Sequence, residues 1–257
     1  MRKLLELYHY RELLRVLVSS ELKLRYRRSV LGFFWTLLNP LLMMVVLSVV
    51  FSTVMRFNIR DYWVSLVAGL LPWTFFSQSV GTSLMSIVGK GALLKKVYIP
   101  KSIIPLSVVL AGLVNFLLSL VAMLVLMLAV GHPPALAVLF LPIPIAFMTL
   151  FAIGMALVFS CLNVYFRDFG HMTEVILQAW FYTSPVIYSL AMVPEPYRPY
   201  FMWNPLYFII ECFREPIFNG ALPSAETVLT AGVVSLLAAI VGFLIFVRFE
   251  RGFILRV

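Results

Sequence analysis

SIIPLSVVLAGLVNFLLSLVAMLVLMLAVGHPPALAVLFLPIPIAFMTLFAIGMALVFSCLNVYF, residues 102–166, contains no Asp, Glu, Lys or Arg. A helix rising about 1.5 Å per residue crosses a bilayer in about 20 apolar residues, so this window is too long for one crossing. Gly131-His132-Pro133-Pro134 interrupts it near the middle with a turn signal that ends one helix and permits the next. The window therefore holds two membrane helices. Working outward, Ser29 to Met55, Tyr62 to Gly89, Val175 to Pro194 and Thr227 to Val247 are also free of charge. The sum is six spans, near 30–55, 63–88, 103–130, 135–162, 172–191 and 226–248. The expected fold class is an all-α integral membrane protein, with one transmembrane domain over 1–257.

Composition agrees. The 257 residues are 62% hydrophobic and 12% charged, against about 45–50% apolar and about 25% charged in an average soluble domain. That excess excludes a disordered chain, a collagen-like fibre and a disulfide-stapled secreted module, and argues against an ordinary cytosolic enzyme. Cys161 and Cys212 have no CxxC or histidine partner spacing and read as buried thiols. The net charge of +9 is mainly topology. Sixteen Lys/Arg fall before span one, between spans two and three, between spans four and five, and after span six. Only Arg56, Arg60, Arg198 and Arg214 fall on the other side. The sixteen-residue side is cytoplasmic by the positive-inside bias, with both termini inside, and nucleic acid gains no independent support as a partner.

Three segments lie outside the spans. In residues 1–28, Leu7, Tyr10, Leu14, Leu17 and Val18 recur at helical spacing opposite Glu6, His9, Glu12 and Arg15. This is the pattern of an amphipathic helix on the cytoplasmic membrane face, serving as an anchor or offering a polar face to a partner. Charges within it interrupt the apolar core that a signal peptide requires. The link 90–101, KGALLKKVYIPK, sets Leu93, Leu94, Val97, Tyr98 and Ile99 among Lys90, Lys95, Lys96 and Lys101. Apolar anchors in a polar rim suit docking, whereas topogenic charge alone needs no apolar cluster. The outer segment 192–223 contains Phe201 to Ile210, which is too short to cross and fits re-entrant or interfacial structure. Just after that stretch, Glu211 and Arg214 are three apart and can pair on one helix face. Trp203, Tyr207, Glu211 and Arg214 are candidates for an outer gate, the alternative being an interfacial lid.

Several chemistries are absent. The sequence has no phosphate-cradling G-x-x-x-x-G-K-[ST], no HExxH, no G-x-S-x-G and no Gly-rich dinucleotide turn. No catalytic residue and no metal ligand set is therefore assigned, and no cofactor is expected in this chain. Span interiors lack charge except near their ends, which argues against a proton-coupled pump. Arg167-Asp168 reads either as an end-cap pair or as a partner contact. Phe34, Trp35, Trp180, Phe181, Tyr182 and Tyr188 pack against lipid and neighbouring helices, or a minority of them line a carbohydrate path.

Leu24-Arg25-Tyr26-Arg27-Arg28-Ser29-Val30-Leu31-Gly32, leading into Trp35-Thr36-Leu37-Leu38-Asn39-Pro40, resembles the opening signature of permease subunits of ABC-type polysaccharide exporters. Lys95-Lys96-Val97-Tyr98-Ile99-Pro100-Lys101, with Pro105-Leu106, resembles their coupling segment. Arg167-Asp168-Phe169 with Tyr182-Thr183-Ser184-Pro185-Val186-Ile187-Tyr188 resembles their fourth-to-fifth-span region, and Trp203-Asn204-Pro205-Leu206 the block before their last span. The resemblance covers nearly the whole chain. It implies a homodimer in the bacterial inner membrane, two separate cytoplasmic ATPase subunits that hold ATP and Mg, and export of a lipid-linked polysaccharide such as O-antigen, capsule or teichoic acid. It implies ATPase contact through residues 1–28, with Arg25, Arg27 and Arg28. The same contact would run through Leu93, Leu94, Lys95, Lys96, Val97, Tyr98, Ile99, Pro100 and Lys101, with Arg167 and Asp168 at that interface. It also implies a conduit flanked by the spans holding Trp35 and Tyr182, and an exit bordered by Met192 to Asn219. The rival expectations are an ABC permease for a small amphipathic drug or lipid and a non-transporting membrane scaffold.

Overall fold

Apolar residues at three- and four-residue spacing form helices throughout, and no strand occurs among the described residues. The structure, a computed structural model, describes residues 6, 8–26, 35, 38, 42, 46, 62–190 and 193–256. Most of the first expected span, with Phe34, Arg27 and Arg28, lies outside the described residues, as does the side chain of Arg25. The helices are α1 (Arg11–Tyr26), α2 (Tyr62–Gly89), α3 (Gly91–Lys96), α4 (Ile103–Ala129), α5 (Pro142–Tyr165), α6 (Phe169–Thr183), α7 (Arg198–Met202), α8 (Pro205–Arg214) and α9 (Ala225–Phe249). A 3-10 turn, Glu250–Leu255, extends α9.

Three helices are long and apolar enough to cross a membrane: α4, α5, and α9 counted through Phe253. They occupy the windows expected for spans three, four and six. The fourth starts later than expected, at Pro142 rather than near 135, because Leu136–Phe140 forms a separate 3-10 turn. Pro142 has no N–H to lose at a helix start, and its fixed φ suits the first helical position. α2 fills the second window and runs through Pro72. It carries serines and threonines, yet most of it is buried between α4 and α5. Thr74 returns its hydroxyl to the Leu70 carbonyl at 2.7 Å, which hides that polar atom within the helix.

The fifth window needs correction. The expected helix, 172–191, is α6, Phe169–Thr183, and Ser184 then turns to an extended conformation. Pro185 disfavours helical geometry at the residue before it, so the helix stops there. Fifteen residues give a rod of about 22 Å, shorter than the roughly 30 Å hydrocarbon layer. The outer segment is likewise more ordered than a lid: α7, α8 and a π-turn at Glu215–Asn219 follow one another. The π-turn closes at Gly220, whose φ of 65° is left-handed.

Packing places α2 at the centre, α4 and α5 beside it, and α9 against α5. α8 wedges between α2, α5 and α9. Only 17% of the apolar window of α9 is buried, against 50% for α5, so α9 turns Leu229, Val233, Leu237, Val241 and Leu244 outward as an exposed apolar flank. It grips α5 through small residues. A Cβ at Gly154 would run into the Ala238 backbone, and one at Gly242 into the Gly154 backbone. Gly154→Ala is therefore expected to lower stability by about 1–3 kcal/mol through overpacking. Gly81→Ala meets nothing within 4 Å and is expected to be neutral or better. Thermal unfolding of the two purified variants in one detergent checks this; equal melting temperatures would refute the close packing.

Candidate functional site

The link after α2 divides its residues between inside and outside. Leu94 and Ile99 are buried at 8% and 7% exposure. They join Ile87, Ile104, Leu157, Cys161, Val164, Phe246 and Phe253 in a second, smaller core. Pro100 is buried as well, and its carbonyl accepts from the Ile103 N–H at 3.0 Å, which begins the turn into α4. Leu93, Val97 and Tyr98 are exposed, beside the exposed Lys95 and Lys96. Within the expected coupling set, Leu93 to Lys101, the residues Leu94, Ile99 and Pro100 are buried. These three anchor the link to its own protein and offer no surface to a partner, while Leu93, Val97 and Tyr98 face outward. The reason is geometric: a chain lying along a surface can bury only one of its sides.

Three groups distant in sequence hold the link in place. Lys90 Nζ pairs with Glu21 Oε1 of α1 at 2.5 Å, both side chains being largely buried. Tyr98 donates its hydroxyl to Glu6 Oε1 at 2.7 Å. Lys101 Nζ donates to the Glu250 carbonyl at 2.6 Å and lies 5.7 Å above the centre of the Phe253 ring. α1 thus lies beside the link, with Tyr10, Leu13, Leu14, Leu17 and Val18 half-buried and Arg11, Glu12 and Arg15 exposed. Of the expected division, Tyr10, Leu14, Leu17 and Val18 fall on the half-buried side and His9, Glu12 and Arg15 on the exposed one, while Glu6 is half-buried and Leu7 lies outside the described residues. Sequence reading missed the role of the C-terminal turn. Its signal was there: Phe253-Ile254-Leu255 between Arg251 and Arg256 repeats the apolar-within-basic pattern of the link. Arg256 lies 4.1 Å from the centre of the Tyr165 ring, so the end of α5 joins this face too.

Arg167 and Asp168 are exposed where α5 gives way to α6, and Asp168 occupies the N-cap position without a side-chain capping bond. Neither side chain makes an ion pair among the described residues, so nothing here supports the end-cap pair.

The far end of the molecule holds the break after α6. Its backbone carbonyls would be unpaired, at a cost of about 1–3 kcal/mol each when buried. Side chains from two other helices satisfy them. Asn204, the N-cap of α8, donates from Nδ2 to the Thr183 carbonyl at 3.1 Å and to Ser184 Oγ at 2.8 Å. Its Oδ1 accepts from Trp180 Nε1 at 3.0 Å and from the Leu206 N–H at 3.1 Å. Arg214, at the other end of α8 and 3% exposed, donates from Nη2 to the Pro185 and Val186 carbonyls at 2.6 and 3.1 Å. Tyr62 donates its hydroxyl to the Ile187 carbonyl at 2.5 Å. Gly69 is required beside this turn, since a Cβ there would sit 2.6 Å from the Val186 oxygen. The expected Glu211–Arg214 pair is formed at 3.1 Å. Of the candidate gate residues, Arg214 turns inward, Glu211 and Tyr207 are half-buried, and Trp203 is 89% exposed.

The candidate conduit aromatics also separate. Trp180 and Phe181 pack inward: Trp180 meets Phe76 at 5.3 Å and Phe151 at 6.0 Å, and Phe181 meets Trp73 at 5.3 Å. Tyr182 and Trp35 are exposed. Tyr188 donates its hydroxyl to the Tyr182 carbonyl at 2.7 Å and sets its ring against Phe201. On α6 the inward face is Thr173, Leu177, Trp180 and Phe181. The outward face carries His171, Glu174, Gln178 and Tyr182 in one row, three or four residues apart. A row of polar side chains is unfavourable against hydrocarbon. The sequence signal for it was polar residues at helical spacing in an otherwise apolar stretch. Among the described residues no three His, Cys, Asp or Glu side chains converge as a metal site.

Comparison with known proteins bears on both ends of the molecule. Residues 12–218 match the ABC-2 type transporter family. The chain is 39% identical over 232 residues to the O-antigen export system permease protein RfbA of Myxococcus xanthus, covering 90% of this chain and 89% of that protein. It is 33% identical over 243 residues to an RfbA of Klebsiella pneumoniae, covering 94% and 93%. It is 22% identical over 233 residues to the polysialic acid transport protein KpsM of Escherichia coli, covering 90% of each.

Proposed function

Since this chain belongs to the ABC-2 type transporter family, we propose that it is the membrane permease of an ATP-driven exporter that passes a lipid-linked polysaccharide outward across the bacterial inner membrane. The observation that carries this is the breadth of the match. Relatives named for O-antigen export and for polysialic acid transport both align with 90% or more of the chain. The cargo class therefore follows from the whole architecture and not from one shared motif.

The structure supports a division of labour. In this reading ATP and Mg belong to two separate cytoplasmic ATPase subunits, which press on Leu93, Val97 and Tyr98 within the lysine rim. Leu94 and Ile99 carry the push into the second core, where the ends of α5 and α9 also lie. α2 and α4 are attached to the link directly, α4 through the turn at Pro100. ATP-bound closure then favours a different packing of the spans, as any ligand must to move an equilibrium. The outward row His171, Glu174, Gln178 and Tyr182 supports α6 as a wall of the conduit, because glycan hydroxyls can hydrogen-bond there and lipid chains cannot. One such wall does not enclose a path, so two copies facing one another complete it. Six spans with both termini cytoplasmic fit this arrangement. α7 and α8 then border the exit.

Vesicles containing this chain, its ATPase and lipid-linked glycan isolated from the source bacterium are expected to show ATP-dependent protection of the glycan from added glycosidase. Movement of a short-chain fluorescent lipid but not of glycan would replace this reading with that of a small-amphiphile permease. Movement of neither would leave a scaffold.

A further inference from the structure

We infer that Asn204 and Arg214 are positioning residues that pin the outer end of α6, so that the transport cycle swings the opposite end, at His171 to Val175. The inference rests on the exporter reading above and adds to it which end of the conduit wall moves.

The contrast lies in the kind of contact along α6 and the segment that follows it past Thr183. Among the described residues, 169–179 make no hydrogen bond to another element. Their tertiary contacts are apolar: the Phe169 ring meets Phe159 at 5.3 Å, and Thr173, which bonds back to its own helix, is the only fully buried residue of α6. Six hydrogen bonds to other elements fall within residues 180–187. They run from Trp180 to Asn204, from Asn204 to the Thr183 carbonyl and Ser184 Oγ, from Arg214 to the Pro185 and Val186 carbonyls, and from Tyr62 to the Ile187 carbonyl. Apolar contacts are non-directional and tolerate sliding. Hydrogen bonds fix distance and angle, and in a low-dielectric interior they are strong and costly to leave unmade.

The anchors sit on a buried helix. α8 is packed among α2, α5 and α9, with Leu206, Ile209, Ile210, Cys212 and Phe213 fully buried. It carries Asn204 at its start and Arg214 at its end, giving two points of attachment along the broken chain. The Gly69 approach to Val186 leaves no room for this segment to shift toward α2. A helix held at one end by directional bonds and along its length by sliding contacts moves as a lever about the held end. Local openings are expected where directional contacts are fewest.

The test uses the permease with its ATPase in lipid nanodiscs, one copy spin-labelled per complex. Native Cys161 and Cys212 are buried and leave introduced cysteines as the labelling sites. One pair, Val175→Cys with Arg248→Cys, reports the basic end; the other, Tyr182→Cys with Leu222→Cys, reports the outer end. All four positions are exposed. On trapping with ATP and orthovanadate, the first distance is expected to shift and the second to stay within its resting distribution. Asn204→Asp keeps the acceptor that caps α8 and serves Trp180, so it folds, but it loses both donors to Thr183 and Ser184. It is expected to broaden the Tyr182–Leu222 distribution and to lower surface glycan by about tenfold. An outer distance that shifts as far as the inner one overturns the pin, as do two unmoved distances in a complex that exports, or an Asn204→Asp variant with wild-type distances and export. Failure of the unmodified complex to move glycan would instead count against the exporter reading, with the distances still readable.

Discussion

Replacing Leu93, Val97 and Tyr98 together with serine is expected to abolish ATP-driven export while leaving membrane insertion and melting temperature near those of the parent chain. These three side chains are exposed at 41%, 53% and 70%, so their loss removes little from the protein's own core, and of the contacts that hold the link only the exposed Tyr98–Glu6 hydrogen bond goes with them. Anchor residues at the centre of an interface each contribute about 1–2 kcal/mol or more. Losing three weakens ATPase binding by about 100-fold or more, since every 1.4 kcal/mol is about tenfold. Co-purification of the ATPase and the rate of glycan export read the effect directly. Ile99→Ser is the contrasting variant. It puts a hydroxyl into the second core, and its expected loss of about 2–5 kcal/mol appears as poor yield and a lowered melting temperature. If the triple variant exports normally, the docking face is elsewhere.

The second large effect is expected from Arg214→Met, which should remove about 3–5 kcal/mol of stability. Methionine fills much of the arginine volume, so the loss is not one of packing. It arises because the Pro185 and Val186 carbonyls lose their donor and the largely buried Glu211 is left without its cation. Arg214→Lys keeps the charge, but one ammonium cannot reproduce a planar fork serving carboxylate and two carbonyls, so an intermediate loss is expected. Thermal unfolding in detergent ranks the three proteins. A Met variant as stable as the parent would show that the broken end of α6 needs no clamp.

The link and the break were unequally legible in the sequence. In the link, apolar residues among lysines announced an interface, but all five apolar positions and Pro100 read alike. Which of them face outward depends on the core formed by Phe246, Phe253, Leu157 and Val164, which come from the two helices α5 and α9 and the turn that extends α9. At the break, Pro185 stands within the charge-free window, yet the fifth span read as a helix to residue 191. The apolar count cannot see that Asn204 and Arg214 supply the donors that make an interruption tolerable at membrane depth. The Glu211–Arg214 pair was readable because its partners share one helix turn. The Lys90–Glu21 and Lys101–Glu250 contacts were not, because they join residues 69 and 149 apart in sequence.

Sequence by itself determined the class of this protein, the places of its long apolar helices and the two segments outside them that matter. Each of these depends on composition and local periodicity, which a window of about 20 residues contains in full. Tertiary structure alone decided which half of the link is exposed, which of the candidate aromatics are packed inward, and where the fifth helix ends. Those outcomes depend on whether a given side chain meets water, lipid or a partner from a distant part of the chain. Only the fold brings such partners within the few ångströms over which hydrogen bonds and packing act.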